Sequence, residues 1–166
     1  MEKGARLTLT ERAEAAGEYP YILVKSTNDA LLKIAGFYRR QLAIPVVGIT
    51  GSVGKTSTKE VIASVLSVKY KTLKTDGNFN NNIGLPLTIF RLKDDDEIAV
   101  LEMGISHFGE MTELAGTAAP DTMVITNIGT CHLEFLKDRD GVFRAKTECF
   151  DYVALDGTVV LNGDDD

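Results

Sequence analysis

Gly51, Ser52, Val53, Gly54, Lys55, Thr56 and Ser57 stand in a row between an apolar β-branched run, VVGIT, and a stretch with helical patterning. A phosphate-binding loop needs this order. Glycines let the backbone turn tightly, so that successive N–H groups and a helix amino terminus point at phosphate oxygens. Lys55 would reach the β- and γ-phosphates of a nucleotide, and the Thr56 hydroxyl would ligate Mg²⁺. Ile49 stands where the general Walker spacing has Gly, so the residues follow the narrower form TGxxGKTS. The bland alternative is a glycine-rich turn with a chance GKT; the flanking strand and helix favour nucleotide binding. Lys59, one turn further on, reads as a solvated helix residue.

Other polar groups fall at strand ends, where ligands gather in open α/β sheets. Glu102 closes the apolar run IAVLEM, and a carboxylate there can complete an Mg²⁺ shell opposite the phosphates. Its alternative is a capping or ion-paired acid. TNIGTCHLE places Thr126, Asn127 and His132 beyond a second strand end, expected at the same rim. His132 is balanced between a catalytic or metal role and an ordinary polar one. His107 reads as a surface or helix-start residue, Glu134 as solvated or behind the site, and Met103 as packing. The loop GNFNNNIGLP, with Asn78, Asn80, Asn81 and Asn82, suits either a structured turn or a neutral rim for a polar substrate. Lys146, in RAKTE, reads locally as a solvated helix lysine. Cys131 and Cys149 form no CxxC pair or metal spacing and read as free thiols in a reducing compartment.

The elements that must position these groups alternate in type. YILV from Tyr21 reads as a strand and Asn28 to Arg40 as a helix, a βα unit ending near Gln41 with no sheet of its own to join. VVGIT is the strand before the loop, with a helix from about Thr56 to Val68. Then follow a short strand at Lys71 to Thr75, a brief helix opening at Pro86, the strand IAVLEM and a helix from Phe108 to Ala118. The strand TMVITNI, a helix from Val142 to Tyr152 and the strand TVVLN complete the pattern. Such alternation predicts an α/β fold with a mostly parallel sheet and helices on both faces. The chain stops just after a strand, so a piece of a longer protein is expected.

Composition bounds the function. With 44% hydrophobic and 25% charged residues in 166, the chain is of globular type. No apolar run approaches the roughly 18–20 residues of a membrane-spanning helix, and the amino terminus lacks a signal-like stretch. A cytoplasmic protein without a membrane partner is expected. The net charge of −6 lies in the carboxy-terminal part, which argues against a nucleic-acid footprint.

Together and in this order, TGSVGKTST, GNFNNNIGLPLT, LEMGISHFGEM, TNIGTCHLE and RAKTE resemble the ATP-binding central domain of the Mur ligases. The NFNN and LEMG versions are most similar to the MurF branch, and the resemblance runs from about Tyr21 to the end. It implies a P-loop central domain at 45–166, incomplete, preceded at 1–44 by the end of a UDP-substrate domain, with the carboxy-terminal domain absent. It implies ATP and Mg²⁺ as cofactors, and a ligase joining D-Ala-D-Ala to UDP-N-acetylmuramoyl-tripeptide through an acyl phosphate in peptidoglycan synthesis. By the same resemblance Gly51 to Ser57 hold the nucleotide, and Lys55, His132 and Lys146 are catalytic. Thr56, Glu102 and His132 meet Mg²⁺, with Lys146 at a position that some sister ligases carbamylate, here taken as unmodified. Asn80 and Asn81 lie towards the uridylyl-peptide. Full-length members are expected to be monomeric, and this polypeptide alone is expected to lack turnover. The alternatives are another Mur-type amino-acid or glutamate ligase, or a non-catalytic ATP-binding fragment.

Overall fold

The computed structural model describes residues 4–165. Its centre is a five-stranded parallel sheet of β3 (Val46–Thr50), β4 (Thr72–Lys74), β5 (Ile98–Glu102), β6 (Thr122–Ile125) and β7 (Thr158–Leu161), in the order β4-β5-β3-β6-β7. The apolar runs VVGIT and IAVLE form two of the three inner strands because a parallel sheet covered on both faces must be apolar on both. All five residues of β5 are buried.

Each connection carries a helix, as parallel neighbours require. Helix α2 (Lys55–Leu66) lies between β3 and β4, α3 (Gly84–Ile89) between β4 and β5, and α4 (Glu110–Ala118) between β5 and β6. Helices α5 (Leu133–Leu136) and α6 (Arg139–Thr147), then a 3₁₀ turn at Glu148–Tyr152, lead to β7. On one face Ile49 and Val100 pack with Ala63 of α2. On the other, Leu101, Met103, Met123 and Ile125 meet side chains of α3, α4 and α6. Fully burying each such side chain contributes about 1.5–3 kcal/mol, so this larger core sets the sheet's position.

The chain first runs from β3 to one side of the sheet, then from β5 across to β6 on the other side. The order therefore reverses at β3, whose neighbours are β5 and β6. Loops at the carboxyl ends of strands on either side of such a reversal diverge and leave a crevice.

Three expectations need correction. The amino-terminal βα unit does have a strand to join: β1 (Thr8–Thr10) pairs in parallel with β2 (Tyr21–Leu23) in a separate two-stranded sheet. The polar TLT hid it, since β1 has no deeply buried face. Helix α1 (Thr27–Gln41), capped by the Ser26 hydroxyl on Asp29 N–H, instead packs with the larger core through Ala35. Helix α3 opens two residues before Pro86 because the Asn81 side-chain oxygen accepts from Ile83 and Gly84 N–H. Helix α6 opens at Arg139, where Asp138 caps Gly141 N–H at 2.7 Å, and turns 3₁₀ after Thr147. No helix among the described residues is long and apolar enough to cross a membrane.

Candidate functional site

The 51–57 loop leaves β3 and opens α2, as the spacing predicts. Gly51 sits where only glycine fits. At φ +148° a Cβ would lie 1.9 Å from the Thr126 hydroxyl oxygen, inside any contact distance. The end of β6 braces the loop from that side. Ser52 N–H donates to Asn127 O at 3.0 Å. The Asn127 side chain accepts from Val53 N–H at 3.0 Å and donates to Val53 O at 3.1 Å, and Thr126 Oγ1 also donates to Val53 O. Thr126 and Asn127 thus stand at the expected rim.

Two lysines converge on one carbonyl. Lys55 Nζ donates to Gly51 O at 2.8 Å and Ser52 O at 3.3 Å, while Lys146 Nζ donates to the same Gly51 O at 3.0 Å. Lys146 is only 1% exposed, which corrects its local reading as a solvated lysine. Burial lowers its pKa to about 8; Cys131 acts in the opposite sense and Lys55 adds to the lowering.

Glu102, the last residue of β5, is paired in register with Ile49 and is 2% exposed. Thr56 Oγ1 donates to its two oxygens at 3.2 and 3.0 Å. Asn80 Nδ2 donates to Oε1 at 2.8 Å. Asn80 reaches it because Gly104 N–H holds the Asn80 carbonyl at 2.8 Å and has no Cβ to push the loop away. A hydroxyl beside a carboxylate is a hard oxygen donor pair of the kind Mg²⁺ takes, completing its shell with phosphate and water. Among the described residues no group of three or more His, Cys, Asp or Glu is placed to hold a metal, so a cage for a softer or larger ion is not found there.

Lys59 is a second correction. It is 1% exposed, with Nζ 3.2 Å from Glu60 Oε1 and 3.8 Å from Glu102 Oε2. The signal for it was its spacing: three residues after Thr56 and four before the buried Ala63, on the stripe of α2 that faces the sheet. The Asn80–Glu102 bond had no such signal.

His132 lies in the loop that touches the phosphate loop. Gly129 N–H donates to Ser52 Oγ at 2.7 Å and Cys131 Sγ to the same oxygen at 3.3 Å. The His132 backbone is left-handed at φ +54° and opens α5, and its side chain is exposed. Its loop neighbours Gly129 and Cys131 thus reach Ser52, while the Thr56–Glu102 hydrogen bonds do not involve it. His107 is at the surface, 3.2 Å from Glu110 and with its ring 4.0 Å from that of Phe135. Glu134 is exposed. Asn81 caps α3 and also lines a cleft of about 410 Å³ with Asn82, Gly104, His107 and Glu110. Both cysteines are free, and burial pushes the Cys149 thiol up to about 12.

With this geometry in view, the comparisons are specific. Residues 49–166 match the family model of the Mur ligase middle domain. The chain is 43% identical over 167 residues to the UDP-N-acetylmuramoyl-tripeptide–D-alanyl-D-alanine ligase of Bacillus subtilis, a match covering 99% of this chain and 36% of that protein. The same-named ligase of Escherichia coli is 38% identical over 147 residues, covering 89% and 32%. The crystal structure of MurF ligase from Thermotoga maritima in complex with ADP superposes with a TM-score of 0.91 at 36% identity, covering 99% of this chain and 38% of that one. The chain thus spans about a third of the length of the curated relatives it matches. From the family match and these identities, the chain belongs to the Mur ligase family, its residues 49–166 corresponding to the family's middle domain.

Proposed function

We propose that this chain is the nucleotide-handling part of an ATP-dependent ligase that joins D-Ala-D-Ala to UDP-N-acetylmuramoyl-tripeptide through an acyl phosphate. The observation that carries the reading is the convergence, at the ends of β3, β5 and β6, of a phosphate loop, two lysines and the Thr56–Glu102 pair. The Bacillus subtilis and Escherichia coli relatives, named for that reaction, support the choice of substrates.

In this reading the phosphates meet the amino terminus of α2. The first N–H groups of a helix have no partner within it, and those of Lys55, Thr56 and Ser57 face the ligand. Ser52 and Val53 amides are bonded to Asn127, so these residues shape the loop and Gly51 and Gly54 turn it. Lys55 and Lys146 exchange the Gly51 carbonyl for phosphate oxygens and stabilise charge on the phosphoryl group as it moves to the substrate carboxylate. The bond from the γ-phosphorus to the bridging oxygen breaks with ADP leaving, and the D-Ala-D-Ala amine then displaces phosphate from the acyl carbon.

Thr56 and Glu102 would hold Mg²⁺, which supplies charge neutralisation between the phosphates. This reading assigns His132 to a second Mg²⁺ at the rim and leaves Lys146 unmodified. The cleft lined by Asn81, with Asn80 behind it, takes the uridylyl-peptide side. Residues 1–44 serve as the end of the substrate domain and 45–166 as the ATP-binding domain. Nothing in the described residues is assigned to the incoming amine, so the 166-residue polypeptide by itself binds nucleotide without completing the amide bond. The same reading sets the full-length enzyme in the cytoplasm as a monomer.

The test is calorimetric titration of the chain with ATP in Mg²⁺, against Lys55→Ala. Saturable binding that weakens roughly 10- to 100-fold in the variant is expected, the worth of a charge-assisted contact. Equal binding by both proteins, or none by the folded wild type, would defeat the reading.

A further inference from the structure

Among the described residues the Glu102 carboxylate meets three side chains, one of them charged. Thr56 Oγ1 and Asn80 Nδ2 orient the carboxylate, while Lys59 Nζ stands 3.8 Å from Oε2. Lys59 is itself shared, since Glu60 Oε1 lies nearer at 3.2 Å. The two carboxylates differ in surroundings: the Glu60 side chain is half-buried and is also paired with Lys74, whereas Glu102 is sealed in. A buried carboxylate without a counter-charge is costly, which gives Lys59 its place.

A divalent cation on Glu102 would be a second cation on a carboxylate that already faces an ammonium. Their repulsion is strong there because little water screens it. We propose that Lys59 is a positioning residue that sets how strongly Glu102 attracts a divalent cation, with Glu60 and Lys74 adjusting it by sharing the ammonium. This rests on the reading of Glu102 as a metal ligand. Glu60 draws the ammonium off Glu102, and Lys74 limits how far it does so by occupying Glu60. Thr56 and Asn80 keep the carboxylate aimed when the charge of Lys59 is removed.

The experiment measures ADP binding by calorimetry in excess Mg²⁺ and in a chelator. The ratio of the two dissociation constants is the metal coupling. Lys59→Met raises the ratio roughly tenfold, the scale of one removed neighbouring charge. Glu60→Gln lowers it, because the ammonium is left to Glu102 alone, and Lys74→Met raises it. Glu60→Gln has no effect once Lys59 is Met. A merely structural defect would weaken ADP in both conditions and leave the ratio unchanged. The variants of the half-buried Glu60 and Lys74 decide the matter should Lys59→Met not fold: shifts in the same direction, or none, overturn the proposal. Glu102→Gln separates the two readings. Metal coupling that survives this change removes the metal reading itself, while coupling lost in Glu102→Gln yet indifferent to Lys59, Glu60 and Lys74 overturns only the role of Lys59.

Discussion

Lys146 donates to the carbonyl of Gly51 at 3.0 Å across 95 residues of sequence. This single bond ties the last long helix to the phosphate loop, and it brings a second ammonium onto the carbonyl that Lys55 also uses. The loop is therefore a junction of β3, α2, β6 and α6 rather than a local turn, and substitutions at each contributor have distinct expected outcomes.

With Lys146 at the phosphates, as proposed, nucleotide binding should depend on pH. Burial lowers its folded-state pKa to about 8, against an ordinary lysine value of 10.5 in the unfolded chain. Across that window the unfolded chain binds more protons, so this group's contribution to stability rises with pH from about 8 to 10.5 and is lost again as pH falls through 8. The attraction for phosphate runs the opposite way, being full below pH 8 and lost above it. ADP affinity should fall about three- to tenfold between pH 7 and 9.5 in the wild type. Lys146→Met should show a flatter profile in calorimetry and a flatter pH dependence of thermal unfolding.

Gly51→Ala places a methyl group on the Thr126 hydroxyl. Either the loop or the end of β6 must move, and the Thr126 bond to Val53 O goes with it. The expected cost is about 1–3 kcal/mol in urea unfolding, with ADP affinity reduced more than tenfold. An alanine variant with wild-type stability would show that the loop relaxes freely.

Asn127→Ala removes both side-chain bonds to Val53 while leaving its backbone bond to Ser52 N–H. Two hydrogen bonds of this kind are worth about 1–3 kcal/mol together. The loss should appear in chemical denaturation. Nucleotide affinity should also fall, because the N–H groups proposed to meet phosphate follow soon after Val53.

The two thiols should differ in reactivity. Cys149 is fully buried and its pKa is pushed up to about 12, so little thiolate exists at pH 8. Cys131 is half-buried against Ser52. Iodoacetamide at pH 8 should label Cys131 first, with Cys149 modified only on unfolding, as read by peptide mass spectrometry. Bound nucleotide should slow labelling of Cys131, since its neighbour Ser52 lies in the phosphate loop.

Much of the fold was legible because its signals are local. The β-branched runs before and after the loop name buried parallel strands, and the glycine spacing names the turn between β3 and α2. β1 was not legible: a three-residue polar strand is held by backbone pairing with β2, and its side chains carry no pattern. Nor was the four-residue α5, too short for a helical period.

At the site, residue type and neighbours along the chain were enough to read the phosphate loop, the strand-end positions of Glu102 and Asn127, and a helix carrying Lys146 beyond the His132 loop. Which of them meet is set by how the sheet and helices pack. Lys59 and Lys146 read as solvated, because a lysine on a helix is solvated unless the helix packs that face inward, and packing is a property of the sheet beneath. The same holds for Asn80, which reaches Glu102 only because β4 and β5 are neighbours and their following loops are folded together at Gly104. Charges and amides take their roles from partners 22 to 95 residues away, and the sheet order that brings those partners together is settled by burial of the core as a whole.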